Sequence, residues 1–188
     1  MKILMVCLGV MTIMLYTQSY EAKAQSKPVI IDNYENPIPL ILSEGFEVGD
    51  KPLFNTSAVK LKSGLWLFSD AAIELNPRPT VDNRKVVRIV NNGKVSMQFD
   101  IIAKKLLTFE VGYYVLGNEQ LTSWAVFVSY NNGLNYKLLG RSNDARRSAV
   151  KSFLLKQPGK VRFEIRKLSG GKNALWFDNI EIRTSSKI

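Results

Sequence analysis

Asp100, Glu110 and Glu164 each fall on the polar phase of an alternating apolar and polar stretch. Two carboxylates held about 5–10 Å apart are the equipment of glycoside hydrolysis. Each of these three has basic neighbours, among them Lys104, Lys105, Arg162 and Arg166, and no spacing brings two acids together. Solvated cross-strand ion pairs are therefore expected. Other catalytic chemistries lack their residues. The chain has no His, so it cannot build a Ser-His-Asp triad, a Cys-His pair or a His-ligated metal. Its one Cys, Cys7, lies in a stretch expected to be removed, which leaves no thiolate nucleophile, disulfide or Fe–S ligand. Phosphate loops, nucleotide fingerprints and zinc spacings are absent from the sequence. The reading is of a non-enzyme that requires no cofactor.

Binding chemistry is better supplied. A pyranose face stacks on an indole or phenol ring, and Trp66, Tyr113, Tyr114, Trp124, Tyr130, Tyr136 and Trp176 could offer one. Trp124 shares its phase with Val126 and Val128, and Trp66 sits in the apolar run Leu65–Phe68, so both belong to a core. Tyr114 and Trp176 point away from their apolar neighbours and are the candidates for exposed rings. Basic residues form the other set. Arg141, Arg146, Arg147 and Lys151 make the densest cluster, diluted by Asp144. A polyanion such as an acidic polysaccharide or extracellular nucleic acid is the partner such a surface attracts.

The compartment agrees with an extracellular polymer. Residues 1–24 read as a secretory signal peptide: Lys2, an apolar stretch from Ile3 to Tyr16, then Ala22-Lys23-Ala24 before Gln25. The apolar stretch falls short of the roughly 20 residues that span a bilayer. Export to the periplasm, outer surface or extracellular space is expected, with no transmembrane segment in the mature chain. Removing residues 1–24 takes away Lys2, Lys23 and Glu21, leaving 24 basic against 15 acidic side chains and a net charge of +9. The remaining 164 residues suit one domain that is stable by core burial without disulfides.

The elements that would position these side chains are strands. Residues 25–39 carry Pro28, Pro37 and Pro39 and read as an extended lead-in; the domain is expected over 40–188. Beyond residue 40 the period is two: Val95, Met97, Phe99 and Ile101; Leu107, Phe109, Val111, Tyr113 and Val115; Val161, Phe163 and Ile165. Asn91-Asn92-Gly93, Asn131-Asn132-Gly133 and Ser169-Gly170-Gly171 are turn signals between such runs. Strands are predicted at 40–47, 59–68, 72–75, 86–91, 94–101, 105–116, 123–130, 135–140, 148–155, 160–168 and 174–183. The pattern is all-β: a single antiparallel β-sandwich or jelly roll. In the last strand Leu175 and Phe177 are odd while Ile180 and Ile182 are even, so a bulge at Asp178-Asn179 is predicted, with Trp176 facing out.

Several stretches come in a recognisable order: Glu44-Gly-Phe-Glu47, Ser63-Gly-Leu-Trp66 with Asp70-Ala71, Val87-Arg-Ile-Val-Asn-Asn-Gly93 and Met97-Gln-Phe-Asp100. Ser123-Trp124, Ser129-Tyr-Asn-Asn-Gly133, Val161-Arg-Phe-Glu-Ile165 and Trp176-Phe-Asp-Asn-Ile180 complete the series. Over roughly residues 42–183 the chain resembles an accessory β-sandwich module of secreted Bacteroidetes-type proteins, often found C-terminal to extracellular nucleases. It is also similar in look to carbohydrate-binding and adhesion jelly rolls. The resemblance implies a non-catalytic module, although here the module follows the leader almost directly. Phe46-Glu47 with Asp50, and Asp178 of the last strand, also look like the metal corner of calcium-stabilised jelly rolls, where a structural calcium would sit; the alternative is that Glu47 and Asp178 pair with Arg or Lys, or bond backbone amides at the bulge. Ser129-Tyr-Asn131-Asn-Gly133-Leu-Asn-Tyr136 resembles a degraded Asp-box, a structural hairpin whose side chains bond their own turn. The expected function is a binding or adhesion module for an extracellular glycan, with nucleic acid as the alternative partner.

Overall fold

Alternating side chains make a strand with one apolar face, and such a strand is stable only when that face meets another. The computed structural model describes residues 40–77, 84–104, 106–114, 122–143, 148–169 and 173–185. The expected leader 1–24, the lead-in 25–39, and Arg146 and Arg147 lie outside the described residues. The strands are β1 (Leu40–Glu44), β2 (Ser57–Lys60), β3 (Leu65–Leu75), β4 (Lys85–Met97), β5 (Ile101–Ala103), β6 (Leu106–Tyr114), β7 (Trp124–Ser129), β8 (Lys137–Ser142), β9 (Ser148–Leu155), β10 (Gly159–Lys167) and β11 (Leu175–Ser185). Among the described residues no helix is long and apolar enough to cross a membrane.

All pairings are antiparallel, and the hydrogen-bonded order runs β8-β7-β10-β4-β11-β6-β9. The order folds at β4. Residues 87–89 pair with β11, whereas residues 94–96 pair with β10. The first half of β4 thus belongs to a layer with β11, β6, β9 and β1, and the second to a layer with β10, β7 and β8. β3 makes the same change: Ser69 pairs with Lys94 and Ala71 with Ile89, so Asp70 faces an excursion of four residues. Asp70 and Asn91 have left-handed φ values of 47° and 48° at this corner. The two layers close on an apolar interior where Phe109 meets Phe163 at 4.7 Å, Phe46 meets Trp66 at 6.4 Å and Tyr113 meets Trp124 at 5.1 Å. Burying a large apolar side chain contributes about 1.5–3 kcal/mol, so this interior can hold the domain without cross-links.

The antiparallel β-sandwich is as expected, and the bulge predicted at Asp178-Asn179 is present, with Asn179 at φ 51°. Leu175, Phe177, Ile180 and Ile182 all reach the core. Two expectations need correction. The strands predicted over 59–68 and 72–75 divide elsewhere: Leu61 and Gly64 exchange backbone hydrogen bonds in a tight turn that ends β2, and β3 then runs unbroken to Leu75. Asn91-Asn92-Gly93 does not separate two strands that fold back on each other; it is the corner within the single strand β4.

Candidate functional site

Because cross-strand partners point to the same side, the register fixes what the outer face of the second layer presents. Val161, Phe163 and Ile165 of β10 enter the core, so Arg162, Glu164 and Arg166 face out. Glu164 stands opposite Phe127 of β7 and Ser96 of β4. Arg166 stands opposite Ala125 and Lys94, and Ala125 in turn opposite Arg141 of β8. The centre of this face is a carboxylate, only 1% exposed, beneath a cover of cations. Ser96 Oγ donates to Glu164 Oε2 at 2.5 Å, Lys94 Nζ lies 3.4 Å from the same oxygen, and Arg166 Nε donates to Oε1. A buried carboxylate is stable only when so compensated. Glu164 is therefore not the solvated acid expected from the sequence.

Arg166 also lies against two rings. Its guanidinium carbon is 4.0 Å from the Phe127 ring centre and 5.7 Å from that of Tyr136, both cation–π contacts. Beside it, Arg162 Nε donates to Asp100 Oδ1 at 2.5 Å. Burial, and then the Glu164 charge, raise the Tyr136 phenol above its ordinary value, so it stays protonated and able to donate. Phe127 is the readable signal that was missed: a large ring on the polar phase between Val126 and Val128.

Tyr136 is delivered by the hairpin of the degraded Asp-box. Ser129 Oγ donates to Asn131 Oδ1 at 2.9 Å and accepts from Gly133 N at 2.9 Å, while Asn135 N donates to Asn131 Oδ1 at 2.9 Å. Gly133 has φ 84°, where a side chain would be strained. Asn131 thus does the acceptor work of the Asp in the intact motif. Asn131→Ala should cost about 1 kcal/mol in thermal or urea unfolding, and Asn131→Asp almost nothing; equal losses in both would contradict this role.

The other predicted ligand residues are placed differently. Tyr114 and Trp176 do face away from the core, but they are buried at 6% and 5% exposure, which corrects the expectation of open rings. They stack on each other at 5.9 Å in a small apolar cluster with Val86 and Ala174. Arg88 covers Trp176 at 5.2 Å and is itself faced by Phe54 at 5.3 Å. Phe54 arrives on a segment tied by Lys51, whose ammonium donates to the carbonyls of Leu53 and Asn55. Arg141 is exposed beside the Arg166 face, whereas Lys151 is half-buried on β9 of the first layer, so these two do not share a face. Glu110 lies on the outer face of the first layer and accepts from Ser152 at 2.8 Å, far in sequence and layer from Glu164.

Of the predicted metal residues, Glu47 and Asp178 come together and Asp50 does not join them: among the described residues no three acids form a metal-holding group. Burial pushes the Asp178 carboxyl up to about 6, against the pull of the Asn179 N–H at 2.6 Å, with the Glu47 charge adding to the rise. Glu47 Oε2 accepts from Lys85 N at 3.1 Å. Gly45 and Asn179 Oδ1 adjoin the same corner. Calcium takes roughly six to eight oxygens; among the described residues this corner brings two carboxylates and an amide oxygen, and each carboxylate already accepts one backbone N–H.

No family model matches the chain, and no curated protein does. Among solved structures it is similar to the CBM22-1 xylan-binding domain of Paenibacillus barcinonensis Xyn10C, with TM-score 0.54 and 11% identity over 79% of this chain and 97% of that one. It is similar to the CBM22-1–GH10 modules of Clostridium thermocellum xylanase 10B complexed with xylohexaose, with TM-score 0.56 and 12% identity over 79% of this chain and 29% of that one. The carbohydrate-binding module of Cellvibrio mixtus lichenase 5A, in complex with cellotriose, gives TM-score 0.50 and 13% identity over 78% and 99%. The fold is therefore that of carbohydrate-binding β-sandwich modules.

Proposed function

We propose that this chain is an exported, non-catalytic module that binds an extracellular glycan on the outer face of its second layer. The observation that carries the reading is the Arg166 platform, a planar guanidinium held on Phe127 and Tyr136 and anchored by a compensated carboxylate at the middle of a sheet face. A guanidinium fixed in this way offers directed hydrogen bonds at little entropic cost. Asp100 and Glu164 are each paired with cations, which leaves neither as a free acid for hydrolysis. The shared fold with glycan-binding modules supports the reading, and the leader at 1–24 supplies the export. Retention on insoluble polysaccharides together with a glycan array is the test; no retention on either would overturn it. The nuclease companions of the modules it resembles make nucleic acid the rival ligand.

The Glu47–Asp178 corner is proposed to hold a structural calcium. Without the ion, Asp178 is an acid whose folded value, about 6, exceeds its ordinary 3.8. Its penalty on the fold is absent below about pH 4, grows as pH rises toward 6, and then stays. Asp178→Asn should therefore gain about 1 kcal/mol at pH 7, after allowing for solvent screening of a half-buried group, and nothing at pH 4. Calcium at about 5 mM should raise the unfolding temperature of the native protein but not of the variant. An unfolding temperature indifferent to calcium would remove the metal.

A further inference from the structure

The three Trp residues of the chain are all withdrawn from solvent, at 0%, 1% and 5% exposure for Trp66, Trp124 and Trp176. Tyr113 and Tyr114 are buried as well. On the outer face of the second layer, Phe127 and Tyr136 are not open platforms, because the Arg166 guanidinium already lies against both. On this face a neutral sugar recognised by ring stacking would find both rings occupied, and the partly exposed Tyr130 packs against the core.

What the face offers instead is cationic donors. Lys94, Arg141, Arg162 and Arg166 share it with Asp100 and Glu164, an excess of two positive charges. Arg166 gives only its Nε to Glu164, and among the described residues its two Nη groups meet no acceptor. Arg141 projects from the edge strand β8 without an ion-pair partner among the described residues. Strands lie about 4.8 Å apart and same-face residues about 7 Å apart along a strand, so these cations form a grid rather than a single point. Planar forks with free Nη groups match carboxylate and sulfate oxygens in pairs.

We infer that this face recognises an acidic polysaccharide, one bearing carboxylate or sulfate groups along its length, through Arg166, Arg162, Lys94 and Arg141. The inference rests on the glycan-binding reading above and adds the charge of the ligand. Two features favour it over nucleic acid. Single strands are held largely by bases stacking on open rings, and here the rings are capped. Duplex grooves admit a protruding helix or ribbon, whereas this surface is the broad face of a sheet.

The full chain is tested by affinity electrophoresis against pairs of polymers that share a backbone and differ in charge. Polygalacturonate is set against its fully methyl-esterified form, and carboxymethylcellulose against hydroxyethylcellulose; heparin and oligo(dT) complete the series. At least one acidic glycan should bind tenfold or more tightly than its neutral counterpart, and binding should fall steeply with salt. Arg141→Gln, an exposed change that leaves the fold alone, should weaken it about threefold or more. Arg166→Lys, which keeps the charge and loses the fork, should weaken it about tenfold. Equal binding of charged and neutral partners would overturn the inference and leave the glycan reading intact. Binding of none of the polysaccharides would overturn both. Tighter binding of oligo(dT) than of any acidic glycan would assign the face to nucleic acid, and unchanged affinity in both variants would overturn the site.

Discussion

Gly93→Ala is expected to destabilise the domain by about 3 kcal/mol or more, the upper end of overpacking costs. A Cβ at this position would sit 2.5 Å from the carbonyl oxygen of Asp70 and 2.6 Å from that of Ser69. Both obstacles are backbone, so neither can rotate away. Nor can the strands slide apart freely. On one side of the corner Ile89 is registered with Leu175, and on the other Lys94 is registered with Arg166, so relief of the clash disturbs pairing in both layers. For a chain of this size the loss corresponds to a fall in unfolding temperature of about 6–12 °C. Gly45→Ala is the control: its Cβ would meet nothing nearer than Asn179 Oδ1 at 3.6 Å, and it should be nearly neutral. Urea midpoints that shift equally for both substitutions would contradict the account of the corner.

Glu44→Ala is expected to cost about 3–4 kcal/mol, from several buried donors losing their acceptor at once. Glu44 is 1% exposed. Its Oε1 accepts from Phe46 N at 2.8 Å; its Oε2 accepts from Ser63 N at 2.8 Å and from Ser63 Oγ at 2.6 Å. Ser63 Oγ then accepts from the buried indole of Trp66 at 2.9 Å. One carboxylate thus ties the turn after β1, where Phe46 has φ 61°, to the hairpin between β2 and β3. Glu44→Gln keeps the shape and one acceptor while setting an amide N–H against a donor, so its loss should fall between native and Ala. A Gln variant as unstable as Ala, or an Ala variant close to native in chemical unfolding, would show that the network carries little.

These particulars explain which features could be read in advance. The phase change across Asp178-Asn179 gave away its bulge because strand periodicity is local and strict, and the core residues on either side followed from it. Glu44 and Ser63 belong to two of the ordered stretches noticed in the sequence, but the hydrogen bonds joining them need the folded geometry. Asn91-Asn92-Gly93 reads as a turn between two strands, whereas it is the corner inside the single strand β4. Whether a bend returns the strand on its neighbour or passes it to a second layer depends on β10 and β11, more than 60 residues further on. Trp176 points away from the main core, as its phase indicated, yet it is covered by Arg88, itself faced by Phe54 from a distant segment that the Lys51 ammonium ties. Glu164 alternates like any polar strand residue; its burial comes from the cations and ring above it, which no periodicity reports. Side-chain direction was readable along the chain, and coverage was not.

The position of β11 in the strand order sets the sequence of events in making the domain. It comes after every other described strand, yet it lies between β6 and the pair formed by β1 and the first half of β4. Until β11 is available, three strands present open hydrogen-bonding edges, and the first layer has no middle. Pairing partners such as Leu42 and Ile182 are also far apart in the chain, so closure is slow on entropic grounds. Any step of synthesis that still withholds β11 therefore leaves the first layer without its central strand, and the two layers close only once β11 is free to pair.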